Sequence, residues 1–173
     1  EMSYEALYDA YREQIACLAR SGVDLLVAET MMAADETMVI LDAAASVCDL
    51  PVLCSLTIEA DGSLFFGGSI YEAAEILEAA GADAVGCNCS VGPDQLEAVI
   101  AGIKDRVSIP VIAKPNAGMP RITETGEAVY SMNASDFGLH MRTLAQAGAR
   151  ILGGCCGTDP SYIRAFKKAV ASL

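Results

Sequence analysis

Cys155 and Cys156 stand side by side between Gly153-Gly154 and Gly157, just past the apolar run Ala149-Arg150-Ile151-Leu152. Adjacent residues normally point apart, so two neighbouring thiols act together only on a bent backbone, and the flanking glycines supply that freedom. A third thiol is available from Cys87-Asn88-Cys89. Three thiolates make a zinc set with one open position, the arrangement of catalytic rather than structural sites. Such a zinc is soft and electron-rich: a weak source of hydroxide, but a good receiver of a fourth thiolate. Coordination lowers a thiol's pKa from about 8.5 and makes a nucleophile at neutral pH. Small cysteines also fill cores, and a strained vicinal disulfide is a third reading. From spacing alone, metal binding and core filling stay open. Cys87 alternates with Cys89 on one strand and is the alternative ligand by geometry; Cys89 is preferred because it lies nearer the rim and aligns with Cys156.

The elements that must position these groups follow a repeating plan. Amphipathic stretches near 4–20, 34–47, 70–80, 93–104, 134–147 and 159–171 read as helices, and short apolar runs near 24–29, 51–57, 83–88, 110–115 and 150–154 as strands. Their alternation is the signature of βα units on a parallel sheet. Ser69 and Glu72 have capping-box spacing. Gly22, Gly81 and Gly148 each follow a helical stretch, Pro51 and Pro110 open strands, and Thr158-Asp159-Pro160 starts the last helix.

The chain also repeats itself. Gly22-Val23-Asp24-Leu25 matches Gly81-Ala82-Asp83-Ala84, and Pro51-Val52-Leu53 matches Pro110-Val111-Ile112 at the same offset; Gly148 begins a third copy of the first kind. Strands therefore alternate between two sequence types, as a (β/α)8 barrel permits. Aligned on the three glycines, Glu29-Thr30, Asn88-Cys89 and Cys155-Cys156 fall at equivalent strand ends, where parallel α/β folds build their sites. The other two strands end at Thr57 and at Lys114-Pro115-Asn116. The expected fold class is α/β: five βα units forming the C-terminal portion of a (β/α)8 TIM barrel, about three units short of the roughly 250 residues of a whole one.

Composition sets limits. Among 173 residues 53% are hydrophobic and the net charge is −12. This excludes an unstructured chain and argues against nucleic acid or an anionic membrane as partner. No apolar run approaches the roughly 18 to 20 residues of a membrane span, and the charged N-terminus carries no signal-peptide core. Seven cysteines, an odd number in a chain that is no small loop-rich scaffold, read as free thiols of a reducing cytoplasm. Cys17, Cys48 and Cys54 fall in regular elements and read as core. His140, the single histidine, falls mid-helix and reads as packing or surface, so no Ser-His-Asp set is feasible. Glu29 is a helix-start carboxylate or a partner for a substrate cation. Asn116 is a substrate hydrogen-bonding group, an occupant of the open metal position or a turn residue, and Lys114 is structural or an ion-pair partner of a rim acid. Asp61–Gly68 lacks the Lys-Ser/Thr of a phosphate loop.

Gly86-Cys87-Asn88-Cys89-Ser90 and Gly153-Gly154-Cys155-Cys156-Gly157-Thr158 resemble the zinc-binding motifs of the homocysteine S-methyltransferase family, and Glu29-Thr30 and Lys114-Pro115-Asn116-Ala117-Gly118 fit as well. The Lys-Pro-Asn-Ala-Gly form is most similar to the homocysteine module of the cobalamin-dependent branch. The resemblance implies a (β/α)8 barrel in which Cys89, Cys155 and Cys156 are the catalytic metal set for zinc. It implies homocysteine as substrate, with Glu29, Thr30 and Asn116 as its binding residues. The zinc-held thiolate would attack a methyl group in an SN2 displacement to give methionine. The donor would be methylcobalamin, carried on a separate cobalamin or folate module. The family's first strands, with a Gly-rich motif and a further acidic substrate ligand, have no counterpart here. The expectation is one partial barrel domain over 1–173 lacking N-terminal strands, with open sheet edges that invite self-association. Alone it should bind zinc weakly and turn over little. The competing expectations are a non-catalytic zinc- or thiol-binding fragment and a methyltransferase acting on another thiol.

Overall fold

The structure, a computed structural model, describes residues 3–171 and residue 173. Helix α1 (Tyr4–Arg20) starts at Ser3, whose hydroxyl accepts the Ala6 amide, and leads into β1 (Leu26–Met31). Then come α2 (Ala34–Ala45), β2 (Val52–Leu56), α3 (Ile70–Ala79) and β3 (Ala84–Asn88). The expected helix at 93–104 divides into a 3-10 turn, Pro93–Gln95, and α4 (Glu97–Lys104). Strand β4 (Val111–Lys114) is followed by an antiparallel hairpin, β5 (Pro120–Ile122) and β6 (Ala128–Tyr130), which the sequence pattern did not predict. Helix α5 (Ala134–Gln146), β7 (Ala149–Leu152) and α6 (Pro160–Val170) complete the chain.

Side-chain caps set several helix starts, as expected of polar residues with unused oxygens. Ser69 accepts the Glu72 amide at 3.3 Å, while its hydroxyl donates to the Glu72 carboxylate at 3.1 Å. Asn133 and Asp159 cap α5 and α6 through the amides of Asp136 and Ser161.

The main sheet is parallel in the order β1-β2-β3-β4-β7. Doubly wound sheets reverse strand order at a switch point. Here every neighbour is the next strand of the sheet along the chain, as in a sector of a (β/α)8 barrel. The two sequence types alternate across the sheet: β1, β3 and β7 carry the Glu29, Asn88 and Cys155 positions, with β2 and β4 between them. All three period-marking glycines have left-handed backbone, φ +81°, +99° and +120° at Gly22, Gly81 and Gly148.

Alternation along the strands separates two faces. Leu26, Ala28 and Met31 of β1 are buried toward the helices, whereas Leu25, Val27 and Glu29 are exposed on the other face. The pairing register carries that second face through Leu53 and Ser55 to Ala84 and Gly86, then to Ile112 and Lys114. β3 and β4 approach closely at Gly86: a Cβ there would meet the Ile112 carbonyl oxygen at 2.0 Å. The helix-side core joins Val85, Cys87, Val111 and Ala113 to Leu77, Ile100, Ile103, Phe137, Met141 and Leu144, and Phe137 meets Tyr162 edge-on at 5.4 Å.

Cys54 and Cys87 lie in this core, and burial pushes both thiols up to about 12. Both folded values exceed the ordinary 9.0 of an unfolded thiol. Their contribution to stability is therefore whole below that ordinary value and is lost as pH rises through the folded values. Urea midpoints at about pH 7.5 and about pH 10.5 should show the decline, and replacing both thiols by alanine should flatten it.

Candidate functional site

The segment Lys114-Pro115-Asn116-Ala117 is the spine of the site, because it lies between the two thiol-bearing segments and hydrogen-bonds to each. On one side the Cys89 amide donates to the Lys114 carbonyl at 3.1 Å, and the Asn116 amide to Val91 at 3.0 Å. On the other, the Cys155 amide donates to Pro115 at 2.8 Å and the Ala117 amide to Cys156 at 2.9 Å. The Asn116 side chain, 4% exposed, accepts the Cys156 amide at 3.0 Å. Asn116 thus clamps both segments.

This scaffold brings Cys89, Cys155 and Cys156 together, with all three sulfurs within 4.8 Å of one another. Cys89 to Cys156 is 3.7 Å and Cys155 to Cys156 is 4.0 Å. Tetrahedral thiolates with bonds of about 2.3 Å to zinc stand about 3.8 Å apart, so the donor set fits such an ion. Cys87 is excluded from it: the residue faces the helices, fully buried one position before Asn88. Burial first, and the neighbouring Cys155 and Cys156 thiols after it, push the Cys89 thiol up to about 11 against a lowering contact from the Ser90 backbone. A dication would supply the charge that three thiolates at this spacing require.

The backbone is bent where the side chains must converge. Thr30, Cys89 and Ser90 are non-glycine residues in the left-handed region, φ 61°, 66° and 56°. Each such residue costs about 1–3 kcal/mol and persists only where surrounding contacts fix it. Thr30 and Cys89 occupy equivalent positions in the repeat, so the same bend ends both strands. Asn88 holds the first bend: its Oδ1 accepts the Thr30 amide at 2.9 Å, and its Nδ2 donates to the Thr30 hydroxyl at 2.7 Å. Ser55 donates to the same Oδ1 at 2.7 Å, and the Thr57 and Ser90 hydroxyls hydrogen-bond to each other. At the third copy the bend is taken by Gly157, φ +79°, where a Cβ would strike the Tyr130 ring at 2.3 Å.

Glu29 forms an ion pair with Lys114, the two side chains being 39% and 25% exposed. The carboxylate of β1 is thereby held toward β4 on the face that carries the thiols. His140, half-buried on α5, has no part in the thiol set. Sequence reasoning missed three contributions: the bridging by Asn88, the support from Ser55, and the β5–β6 hairpin with Tyr130. The Tyr130 ring lies against Gly157, and desolvation, then the adjacent Cys156 thiol, push its hydroxyl above the ordinary value. A separate cleft of about 270 Å³ lies along β1, lined by Tyr11, Ile15, Leu18, Val27 and Glu29 among others, with none of the thiols in its wall.

The family model for homocysteine S-methyltransferase matches residues 1–170. The methionine synthase of Mycobacterium tuberculosis is 29% identical over 180 residues, covering 98% of this chain and 15% of that protein. Homocysteine S-methyltransferase 4 of Zea mays is 32% identical over 174 residues, 98% of this chain and 51% of that one. The chain therefore spans about half of the plant relative and a smaller part of the mycobacterial one. Among solved structures, the homocysteine methyltransferase MmuM from Escherichia coli superimposes in its apo form with a TM-score of 0.80 at 23% identity, covering 98% of this chain and 58% of that one. Its metallated form gives 0.80 at 23%, with 97% and 52% covered.

Proposed function

Because the chain belongs to the homocysteine S-methyltransferase family, we propose that it carries the thiol-activating part of a zinc-dependent methyl transfer to homocysteine, giving methionine. The observation that carries the reading is the three-sulfur cluster, with two spacings of 3.7 and 4.0 Å. Cys89, Cys155 and Cys156 would hold the zinc. When bound, zinc supplies the Lewis acidity that keeps a fourth, substrate thiol ionised near neutral pH.

The chain's own residues then divide the work. The cysteines place charge at a point fixed by the 114–117 spine. The Glu29 carboxylate receives the substrate ammonium, and its pairing with Lys114 keeps it aimed at the same face. The hairpin brings the Tyr130 ring over Gly157, beside the turn that carries Cys155 and Cys156. Positioning of this kind converts an encounter between two reactants into a near-unimolecular step. The homocysteine thiol loses its proton on binding. Its sulfur then forms a bond to the methyl carbon, while the carbon's bond to the donor breaks with its electron pair leaving on the donor. Methylcobalamin on a separate domain is the proposed donor, on the resemblance of Lys114-Pro115-Asn116-Ala117-Gly118 to the cobalamin-dependent branch. The same setting is a cytoplasm that leaves the seven cysteines as thiols, and among the described residues no helix is long and apolar enough to cross a membrane.

Metal analysis with X-ray absorption tests this reading. The zinc-loaded protein should show three sulfur ligands to the metal and gain a fourth on addition of homocysteine. A metal environment indifferent to homocysteine would favour the non-catalytic thiol-binding alternative.

A further inference from the structure

Asn88 is 1% exposed at the end of β3, yet its side chain belongs to the thiol rim rather than to the helix-side core. A carboxamide offers two donor hydrogens and two acceptor lone pairs. Here all four are used. Oδ1 accepts from the Thr30 amide at 2.9 Å and from the Ser55 hydroxyl at 2.7 Å. Nδ2 donates to the Thr30 hydroxyl at 2.7 Å and toward the Cys155 sulfur at 3.8 Å. The orientation is forced, because a backbone amide can only donate and the atom facing the Thr30 N–H must be oxygen. The NH2 end is left to face Cys155. With no group to spare for a substrate, Asn88 acts through the residues it holds.

The geometry points to Asn88 as a positioning residue for methyl transfer: its carboxamide donates to the Cys155 sulfur while clamping left-handed Thr30, tempering the charge of one metal-binding thiolate and fixing the turn that carries Glu29. The inference rests on the zinc reading above. A hydrogen bond to a thiolate withdraws charge from sulfur, which leaves a metal more able to accept a further thiolate. Outer partners of metal ligands typically matter by about 10–100-fold in affinity or activity. The same carboxamide ties strand ends 58 residues apart, so the ammonium-binding carboxylate and the thiol set keep one spacing.

Asn88→Asp separates this role from support of the fold. The aspartate keeps an oxygen for Thr30 N–H and Ser55, and the Thr30 hydroxyl can turn to donate to it. Both Nδ2 hydrogens are lost, and a carboxylate oxygen takes the place of the donor that faced the Cys155 sulfur. Asn88→Ala removes every contact, and Ser55→Ala removes one that does not touch sulfur. Each protein is loaded with cobalt(II), and its thiolate-to-metal charge-transfer band and homocysteine affinity are recorded. The expected result is a band moved to lower energy and about 10–100-fold weaker homocysteine binding in both Asn88 variants. Ser55→Ala should lower the melting temperature and leave the band in place. A folded Asn88→Asp with the wild-type band and affinity overturns the role of Asn88 alone. A wild type that gives no thiolate band overturns the metal reading, and this inference with it.

Discussion

Replacing Cys155 or Cys156 by serine should abolish tight zinc binding while the fold survives. Thiolate-rich zinc sites bind with about 10–16 kcal/mol near neutral pH. Divided over four ligand positions, one sulfur is worth about 3–4 kcal/mol, or between two and three decades of affinity. Serine cannot replace it, because its hydroxyl stays protonated and oxygen is a harder donor than sulfur. The fold should persist because Cys156 is exposed and Cys155 only half-buried. Their backbone groups, which do hold the 114–117 spine, are unchanged by the substitution. Cys89→Ser should behave the same way. Cys87→Ser is the informative contrast. It should keep its zinc but lose about 1–3 kcal/mol of stability, since a hydroxyl enters a dry core without a partner. Zinc retained after dialysis against a chelator, read beside thermal melts, measures all four. Equal zinc in wild type and in the three rim variants would reject the ligand set.

That contrast also shows how far the sequence could be read. Alternation along a strand has period two, so Cys87 and Cys89 would share a face of a regular strand. The preference for Cys89 rests on its place nearer the strand end, and the left-handed backbone at Cys89 is what parts the two thiols in the fold. The repeat was legible, and its physical content is specific: Thr30 and Cys89, aligned by glycine positions, share the same left-handed backbone. The third copy reaches its bend with Gly157 instead, where the Tyr130 ring lies too close for a Cβ. The hairpin was not legible, because β5 and β6 have three residues each and are mostly exposed, leaving no apolar alternation to detect. The break at Leu96 escaped for a related reason. Pro93 suits the first turn of a helix of either kind, and periodicity does not distinguish a 3-10 turn leading into α4. In the sequence Asn116 reads as a turn residue or a substrate contact, and Asn88 only as a polar position at a strand end. Their partners lie 33 to 67 residues away for Asn88 and 40 for Asn116. Only the fold reveals that such carboxamides are spent on holding other residues.

Glu29→Gln should weaken homocysteine binding to the zinc-loaded protein by about 10–150-fold with no change in zinc content or melting temperature. A hydrogen bond to a charged group is worth about 1.5–3 kcal/mol, and glutamine keeps the length of the side chain while removing the charge that selects an ammonium. The cost to folding should be small. Its ion pair with Lys114 is 39% and 25% exposed, and exposed pairs contribute about 0–1 kcal/mol. The sulfur set is untouched, since Glu29 is no member of it. A thiol of the same length without the α-amino group, 4-mercaptobutyrate, separates recognition of the ammonium from general damage to the site. Wild type should bind this analogue more weakly than homocysteine, and Glu29→Gln should bind it as wild type does, because the carboxylate has nothing to grasp on it. Calorimetric titration of both thiols into both proteins closes the cycle. If the substitution weakens the two thiols equally, Glu29 shapes the rim without touching the amino group. If it weakens neither, the carboxylate belongs to Lys114 alone.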